Sequence, residues 1–177
     1  MGRAILLLAL LAAGCRTRPP DWQPWQTAFG GSFSAIPHVG VAAEGGAVIH
    51  RTERFDYVAE GEVTYQFLDD ADLASDGSPG KLDAWWQLRA GIKQIFSPGH
   101  KRHLVVRYGA VFFHATGTPG LVDAAGSYFG IYGGIGFETD LNERWTAGPE
   151  LRVLIVDGDA SGVEIVPQFA WHLVRRF

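Results

Sequence analysis

The sequence predicts an all-β fold, an eight-stranded antiparallel up-and-down β-barrel that follows a cleaved N-terminal signal helix. Three observations predict it. Apolar and polar residues alternate with a period of two over eight segments. No amphipathic helical period of useful length lies between these segments, and longer connections alternate with short ones. A content of 47% hydrophobic and 12% aromatic residues excludes a disordered chain.

The N-terminus reads as a signal peptide over residues 1–14. Arg3 supplies a positive charge, and the apolar run from Ala4 to Ala13 is shorter than the roughly 20 residues that a membrane-spanning helix needs. Small residues then precede Cys15, the only cysteine. The segment Leu-Ala-Ala-Gly-Cys resembles the lipobox of bacterial lipoproteins. The resemblance implies removal of residues 1–14 and lipidation of Cys15, palmitate included. An ordinary cleaved signal with an incidental cysteine is the alternative.

Residues 15–26 form a proline-containing, lipid-anchored linker, and residues 27–177 form the barrel domain. Because Arg16 follows the cysteine, the lipoprotein resemblance also implies sorting to the outer membrane.

The first four strands are predicted from the residues that alternation places on the same face. In the first, Phe29 and Phe33 lie on one face. In the second and third, Glu44 and Glu60 mark the polar face, and in the fourth Arg89 does so. The predicted strands are Thr27–Ile36, Val39–Ile49, Asp56–Phe67 and Ala84–Phe96.

The last four strands follow the same rule. The fifth is mostly apolar on both faces, with Arg107 opposing the apolar set, and the eighth ends in Phe177. Pro149 and Pro167 fall inside the last two strands, where each removes a hydrogen-bond donor, so we expect a bulge at each. The predicted strands are His103–His114, Ser127–Glu138, Arg144–Val156 and Val163–Phe177.

Aromatic residues on the apolar faces cluster at the strand ends, and the middles are mostly aliphatic. Two aromatic belts around an aliphatic band are typical of a protein that crosses two membrane interfaces, whereas a soluble core places its large rings in the middle. The predicted belt residues are Tyr57, Phe67, Trp86, Phe96, Phe112, Phe129, Phe137, Trp145 and Phe177.

The opposite faces carry five acids and four bases. An eight-stranded barrel has room inside only for side chains, and buried charges must be paired. The near balance therefore predicts a lumen charge network that plugs the barrel. Its members are Glu44, Glu60, Glu62, Arg89, Lys93, Arg107, Glu138, Glu150 and Arg152.

The segment 27–177 resembles the small eight-stranded outer-membrane β-barrels, such as the OmpA transmembrane domain, OmpX and the lipid A deacylase PagL. The resemblance implies a bacterial cell outer membrane location and contact with outer-membrane lipid and lipopolysaccharide. It also implies insertion by the outer-membrane assembly machinery, which reads a C-terminal strand ending in an aromatic residue such as Phe177. Arg175 departs from that pattern, because the family favours an apolar residue there.

Composition limits the partners. A sequence pI near 5.8 argues against nucleic-acid binding, and a single cysteine excludes a cysteine-rich metal cluster. We expect no cofactor, no metal and a monomer.

Three functions stay open. The first is a non-enzymatic outer-membrane β-barrel lipoprotein with a structural, membrane-integrity or surface-interaction role. The second is a PagL-like lipid A acyl hydrolase, in which His114 and Thr116 supply a base and a hydroxyl. The third is a periplasmic lipocalin-like barrel that holds a small apolar ligand, which requires the aromatic faces to point inward.

Overall fold

The structure is a computed structural model that describes residues 24–36, 39–67, 84–115, 126–158 and 162–177. Apart from short turns, the described ranges are extended chain, since alternating side chains favour strands. The eight strands are β1 Thr27–Ile36, β2 Gly40–Arg51, β3 Phe55–Phe67, β4 Ala84–Phe96, β5 Arg102–Ala115, β6 Gly126–Asp140, β7 Trp145–Gly158 and β8 Gly162–Arg176. Their number and order confirm the predicted fold class.

The strands close into one barrel. Each strand pairs antiparallel with its neighbours in sequence, and β8 pairs with β1, so that Phe33 lies opposite Trp171. Within the described ranges no helix is long and apolar enough to cross a membrane. We call the end that holds Pro24, Trp25 and Phe177 the terminal end. We call the opposite end, where β3 leads to β4, β5 to β6 and β7 to β8, the loop end.

The wall of the barrel is apolar outside and polar inside. Large hydrophobic side chains of all eight strands are exposed, among them Phe129 at 64% and Val163 at 69% of their accessible surface. Inward-facing arginine, lysine, glutamate and glutamine side chains are buried. This polarity is the reverse of a soluble barrel, in which the apolar face forms the core. A lipocalin-like barrel with inward aromatic faces is therefore wrong for this chain.

The interior has two layers. Toward the loop end it holds an apolar cluster, in which the rings of Phe113 and Tyr128 stack with centroids 4.5 Å apart, together with buried glutamines. Toward the terminal end it holds the charged residues. The cluster consists of Val111, Phe113, Tyr128, Tyr132, Leu154, Val156 and Val166.

The bulges expected at Pro149 and Pro167 are not there. The β7–β8 register is continuous through both prolines. Pro167 lies beyond Phe169, where the β1–β8 ladder ends, and so needs no donor on that side. Pro149 lies where the β6–β7 ladder is interrupted between Gly136 and Thr139. The irregularities occur instead at residues 34–36 of β1 and 48–50 of β2.

Glycine is required where Tyr132 crosses the interior. A Cβ atom at Gly91 would lie 2.7 Å from the Tyr132 hydroxyl oxygen and 2.9 Å from the Cα atom of Gly109, and it would also collide with the backbone of Tyr108. Such contacts force the wall or the tyrosine to move.

We therefore expect Gly91→Ala to lower the free energy of unfolding by about 1–3 kcal/mol, as overpacking does. Gly133→Ala is the matched control, because a Cβ atom there meets nothing within 4 Å. Urea titration of both variants in detergent, followed by tryptophan fluorescence, measures the difference. Equal urea midpoints for Gly91→Ala and Gly133→Ala would contradict the claim that position 91 requires glycine.

Candidate functional site

The structure brings the nine predicted lumen residues together inside the barrel. Eight of them are buried and Glu60 is half-buried, although they come from six different strands. Strand alternation places each on the inward face, and the register of neighbouring strands sets the residues at similar heights. The result is a continuous set of ion pairs across the interior.

Arg107 on β5 is the centre of this network. Its guanidinium contacts four carboxylates: Glu60 at 3.2 Å from Nε, Glu138 at 3.2 Å, Glu44 at 3.5 Å, and Glu150 directly through Nη1. These four glutamates lie on four other strands. One planar cation with five donors can serve several acceptors in this way.

Arg152 and Arg89 complete the network on the side toward the loop end. Arg152 donates to both oxygens of Glu150 at 2.9 Å and to Glu62 at 3.3 and 3.4 Å. Arg89 pairs with Glu62 as well, and its guanidinium lies 5.6 Å from the centre of the Tyr132 ring. Glu62 and Glu150 are therefore shared acceptors, so neither carboxylate is buried without a cation.

His172 on β8 is an interior residue that the sequence analysis missed. Its Nδ1 lies 2.7 Å from Glu44 and its Nε2 lies 2.7 Å from Glu150. The ring thus links β2 and β7 through β8. Its even position in β8, on the same face as Gln168, was the signal that could have found it.

A second interior cluster, also missed, lies at the terminal end. Nε2 of His103 is 2.9 Å from Oδ1 of Asp140, and Arg176 contacts the same oxygen at 2.8 Å. Arg176 also approaches Glu138 at 3.9 Å, and Lys93 approaches Glu138 at 2.5 Å. The ion pairs thus continue from the centre to the terminal mouth.

One trio of these residues has metal-binding chemistry. Ligand atoms of Glu44, Glu62 and His172 all lie within 4.8 Å of one another. However, Arg152 already contacts Glu62 and the His172 ring, and a guanidinium supplies the positive charge that a metal ion would bring. We assign this trio to the ion-pair network.

The predicted belt residues lie on the outer wall. Near the loop end, Trp86 packs against Phe112 with centroids 5.3 Å apart. Near the terminal end, Phe55 and Phe96 meet edge to face at 5.1 Å. The side chain of Phe67 lies outside the described residues. The others that are exposed or half-exposed on this wall are Tyr57, Phe129, Phe137, Trp145 and Phe177.

The second predicted site lies partly outside the described residues, because Thr116 is not among them. Among the described residues, a hydroxyl that meets His114 is that of Ser127 on β6. Nδ1 of His114 is 3.0 Å from the Ser127 oxygen, and the ring of Trp86 lies 6.1 Å away. Strand pairing explains the contact, since His114 and Ser127 are register partners on the outer wall. No described carboxylate contacts the His114 ring. Cys15 and residues 1–14 also lie outside the described residues.

A closed eight-stranded barrel with paired charges inside and aromatic rings outside is the architecture of small transmembrane β-barrels. Comparison with protein-family models gives no match, and comparison with curated proteins gives none either.

Solved structures match the fold. Ail, the attachment invasion locus protein of Yersinia pestis, superposes with a TM-score of 0.53 at 10% identity, over 86% of this chain and 97% of Ail. Ail in complex with the heparin analogue sucrose octasulfate gives 0.52 at 11%, over the same shares of the two chains. A major outer membrane protein from Thermus thermophilus gives 0.51 at 11%, over 88% and 100%. These structural neighbours are outer-membrane β-barrels, and at such identities the likeness establishes the fold.

We expect Arg107→Met to destabilise the barrel by about 3–5 kcal/mol, because it leaves three buried carboxylates and the half-buried Glu60 without their common cation. Arg54→Met, in an exposed turn, should change stability by less than about 0.5 kcal/mol. The double variant Arg107→Met/Glu150→Gln should lose less than the sum of the single losses. If urea titrations show that the double variant loses the full sum of the two single losses in stability, then Arg107 and Glu150 are not energetically coupled.

Proposed function

We propose that the protein is an outer-membrane lipoprotein whose body is a plugged eight-stranded β-barrel with a structural, membrane-integrity or surface-interaction role. The observation that carries the proposal is the polarity of the wall. Exposed apolar side chains surround the barrel, and buried ion pairs fill it. Only a hydrocarbon environment makes such an exterior favourable.

The proposed orientation places the terminal end in the periplasm and the loop end outside the cell. An even number of strands puts both ends of the barrel chain on one side, and a lipid on Cys15 must be on the periplasmic side with them. Ion pairs and an apolar cluster occupy the described part of the interior, which favours a plugged barrel over a channel. The connections at the loop end, over residues 68–83 and 116–125, are where surface contacts are expected.

We expect the Cys15→Ala variant, exported behind a signal without a lipobox, to stay in the outer membrane through a carbonate wash. We also expect its gel mobility to shift on heating, as closed barrels do. The native chain should incorporate labelled palmitate and the variant should not. Release of the variant as a soluble, detergent-free protein would overturn the membrane barrel. Labelling of the variant would overturn lipidation at Cys15.

A second candidate function is acyl-ester hydrolysis at the outer wall, and the contact between His114 and Ser127 is the observation that favours it. In this chemistry Ser127 would attack an acyl carbonyl of lipid A while His114 accepts its proton. The ester C–O bond would then break, with the sugar hydroxyl leaving with that proton, and water would release the fatty acid from Ser127. The pair lies near the loop end, at the height proposed for the outer leaflet. Because no described carboxylate orients His114, we place this function second.

We expect fatty acid release from purified lipopolysaccharide, if this second function operates, to be abolished in both His114→Ala and Ser127→Ala. Thr116→Ala is the control that separates the two possible hydroxyls. Activity that survives in Ser127→Ala but not in Thr116→Ala would favour Thr116 as the nucleophile. Absence of release by the native protein would leave the structural role as the function.

A further inference from the structure

Exposed charge at the terminal end is predominantly basic. Arg54, Lys101, Arg102 and Arg144 are exposed there, whereas the exposed acids are Glu53 and Glu143. The connections at the other end have the opposite composition, with seven aspartates and one lysine in residues 68–83, 116–125 and 159–161. The terminal end is therefore the part of the described surface that would attract an anion.

Arg175, which is half-buried, adds a further positive charge on the outer wall itself. Its neighbours Val174 and Arg176 are buried on the inward face, so Arg175 points outward. Its register partners are Trp145 on β7 and Phe29 on β1. Its guanidinium lies 4.7 Å from the centre of the Phe177 ring. A cation thus stands within the aromatic belt, at the height where headgroups begin in the proposed orientation.

The hydrogen-bonding capacity of Arg175 is not used up. Its Nε is covered by surrounding atoms and has no hydrogen-bond partner. None of the ion pairs between described residues includes Arg175. Stacking on Phe177 holds the planar guanidinium by its face and leaves its edge for an oxyanion.

A cavity extends this basic surface. It encloses about 920 Å³ at the terminal mouth, and Lys101, Arg144, Arg175 and Arg176 all line it. Arg176 is engaged by Asp140 at 2.8 Å. The remaining three bases face a single other acid, Glu143. The apolar part of the lining comes from Trp25 and Phe177, so the cavity combines anion-binding groups with aromatic surface.

We propose that Arg175, with Arg144 and Lys101, binds the phosphodiester headgroup of an anionic phospholipid in the leaflet at the terminal end. The excess of bases over acids favours a headgroup with a net negative charge over a zwitterionic one, whose ammonium would find only Glu143. The aromatic rings contact the glycerol and the upper acyl chains. This site rests on the proposed function, because it requires the barrel to span a membrane.

The test uses the full-length protein purified in detergent, after its heat-dependent gel shift has been recorded. Native mass spectrometry then measures the affinity for dioleoyl phosphatidylglycerol, dioleoyl phosphatidylcholine and inorganic phosphate. The variants are Arg175→Gln and Arg144→Gln. Arg54→Gln is the matched control, since it removes an exposed charge at the same end but outside the cavity.

We expect the native protein to bind phosphatidylglycerol about tenfold more tightly than phosphatidylcholine, as one charge-assisted hydrogen bond would provide. Both cavity variants should lose most of this preference, and the control should keep it.

Several outcomes would overturn the lipid site. An unchanged preference in Arg175→Gln would do so, and so would phosphate that binds as tightly as the lipid and displaces it, which would indicate a site for free anions. A protein that shows no heat-dependent shift and needs no detergent would overturn the proposed function instead, and the site with it.

Discussion

Charge compensation around Arg107 is the interaction on which the rest of the barrel depends. The interior of an eight-stranded barrel is narrow, and this chain fills much of it with glutamates from several strands. One guanidinium contacts four of these carboxylates, and Arg152 shares one of them. Because the acids are anchored on different strands, the ion pairs also fix how the strands are placed relative to one another. The polar interior and the apolar exterior have one cause, since polar and apolar side chains alternate along every strand.

Because ion pairs fill the interior, we look for functional groups on the outer wall. Residues that would form the core of a soluble protein lie outside here, so each polar group among them is an exception that needs a reason. Such exceptions on the described wall include His114 and Ser127 near the loop end, and Arg175 near the terminal end. All three are next to aromatic belt residues, at the two heights where a bilayer changes from hydrocarbon to headgroup. Because of this placement, both the proposed acyl-ester hydrolysis and the proposed headgroup site involve lipid.

Much of the fold could be predicted from the sequence, because a period of two specifies both the strand and its inward face. The positions of the strands follow from it, although several strands begin or end one or two residues from the predicted bounds. Closure of the barrel was predicted instead from the alternating connections and the resemblance to small barrels. Contacts between strands could not be predicted, since they depend on register, which alternation leaves open. For this reason the contact of His114 with Ser127, which the register sets opposite it, was not predicted. His172 lies on the inward face that the alternation already gives, so only its partners Glu44 and Glu150 required the register. The bulges predicted at Pro149 and Pro167 were wrong, because an interruption of one ladder and the end of another accommodate the two prolines. Neither feature can be read from the sequence.

The position of His172 has a consequence for how the protein assembles. Its ring connects Glu44, from the second strand, to Glu150, from the seventh, and it is carried by the eighth. An open sheet that lacks the last strand would also lack His172. Glu44 and Glu150 would then face the bilayer without their contact to its ring. Intermediates of this kind are high in free energy, so insertion and closure should occur together. The barrel should accordingly form in a single all-or-none step, with few stable partly assembled forms.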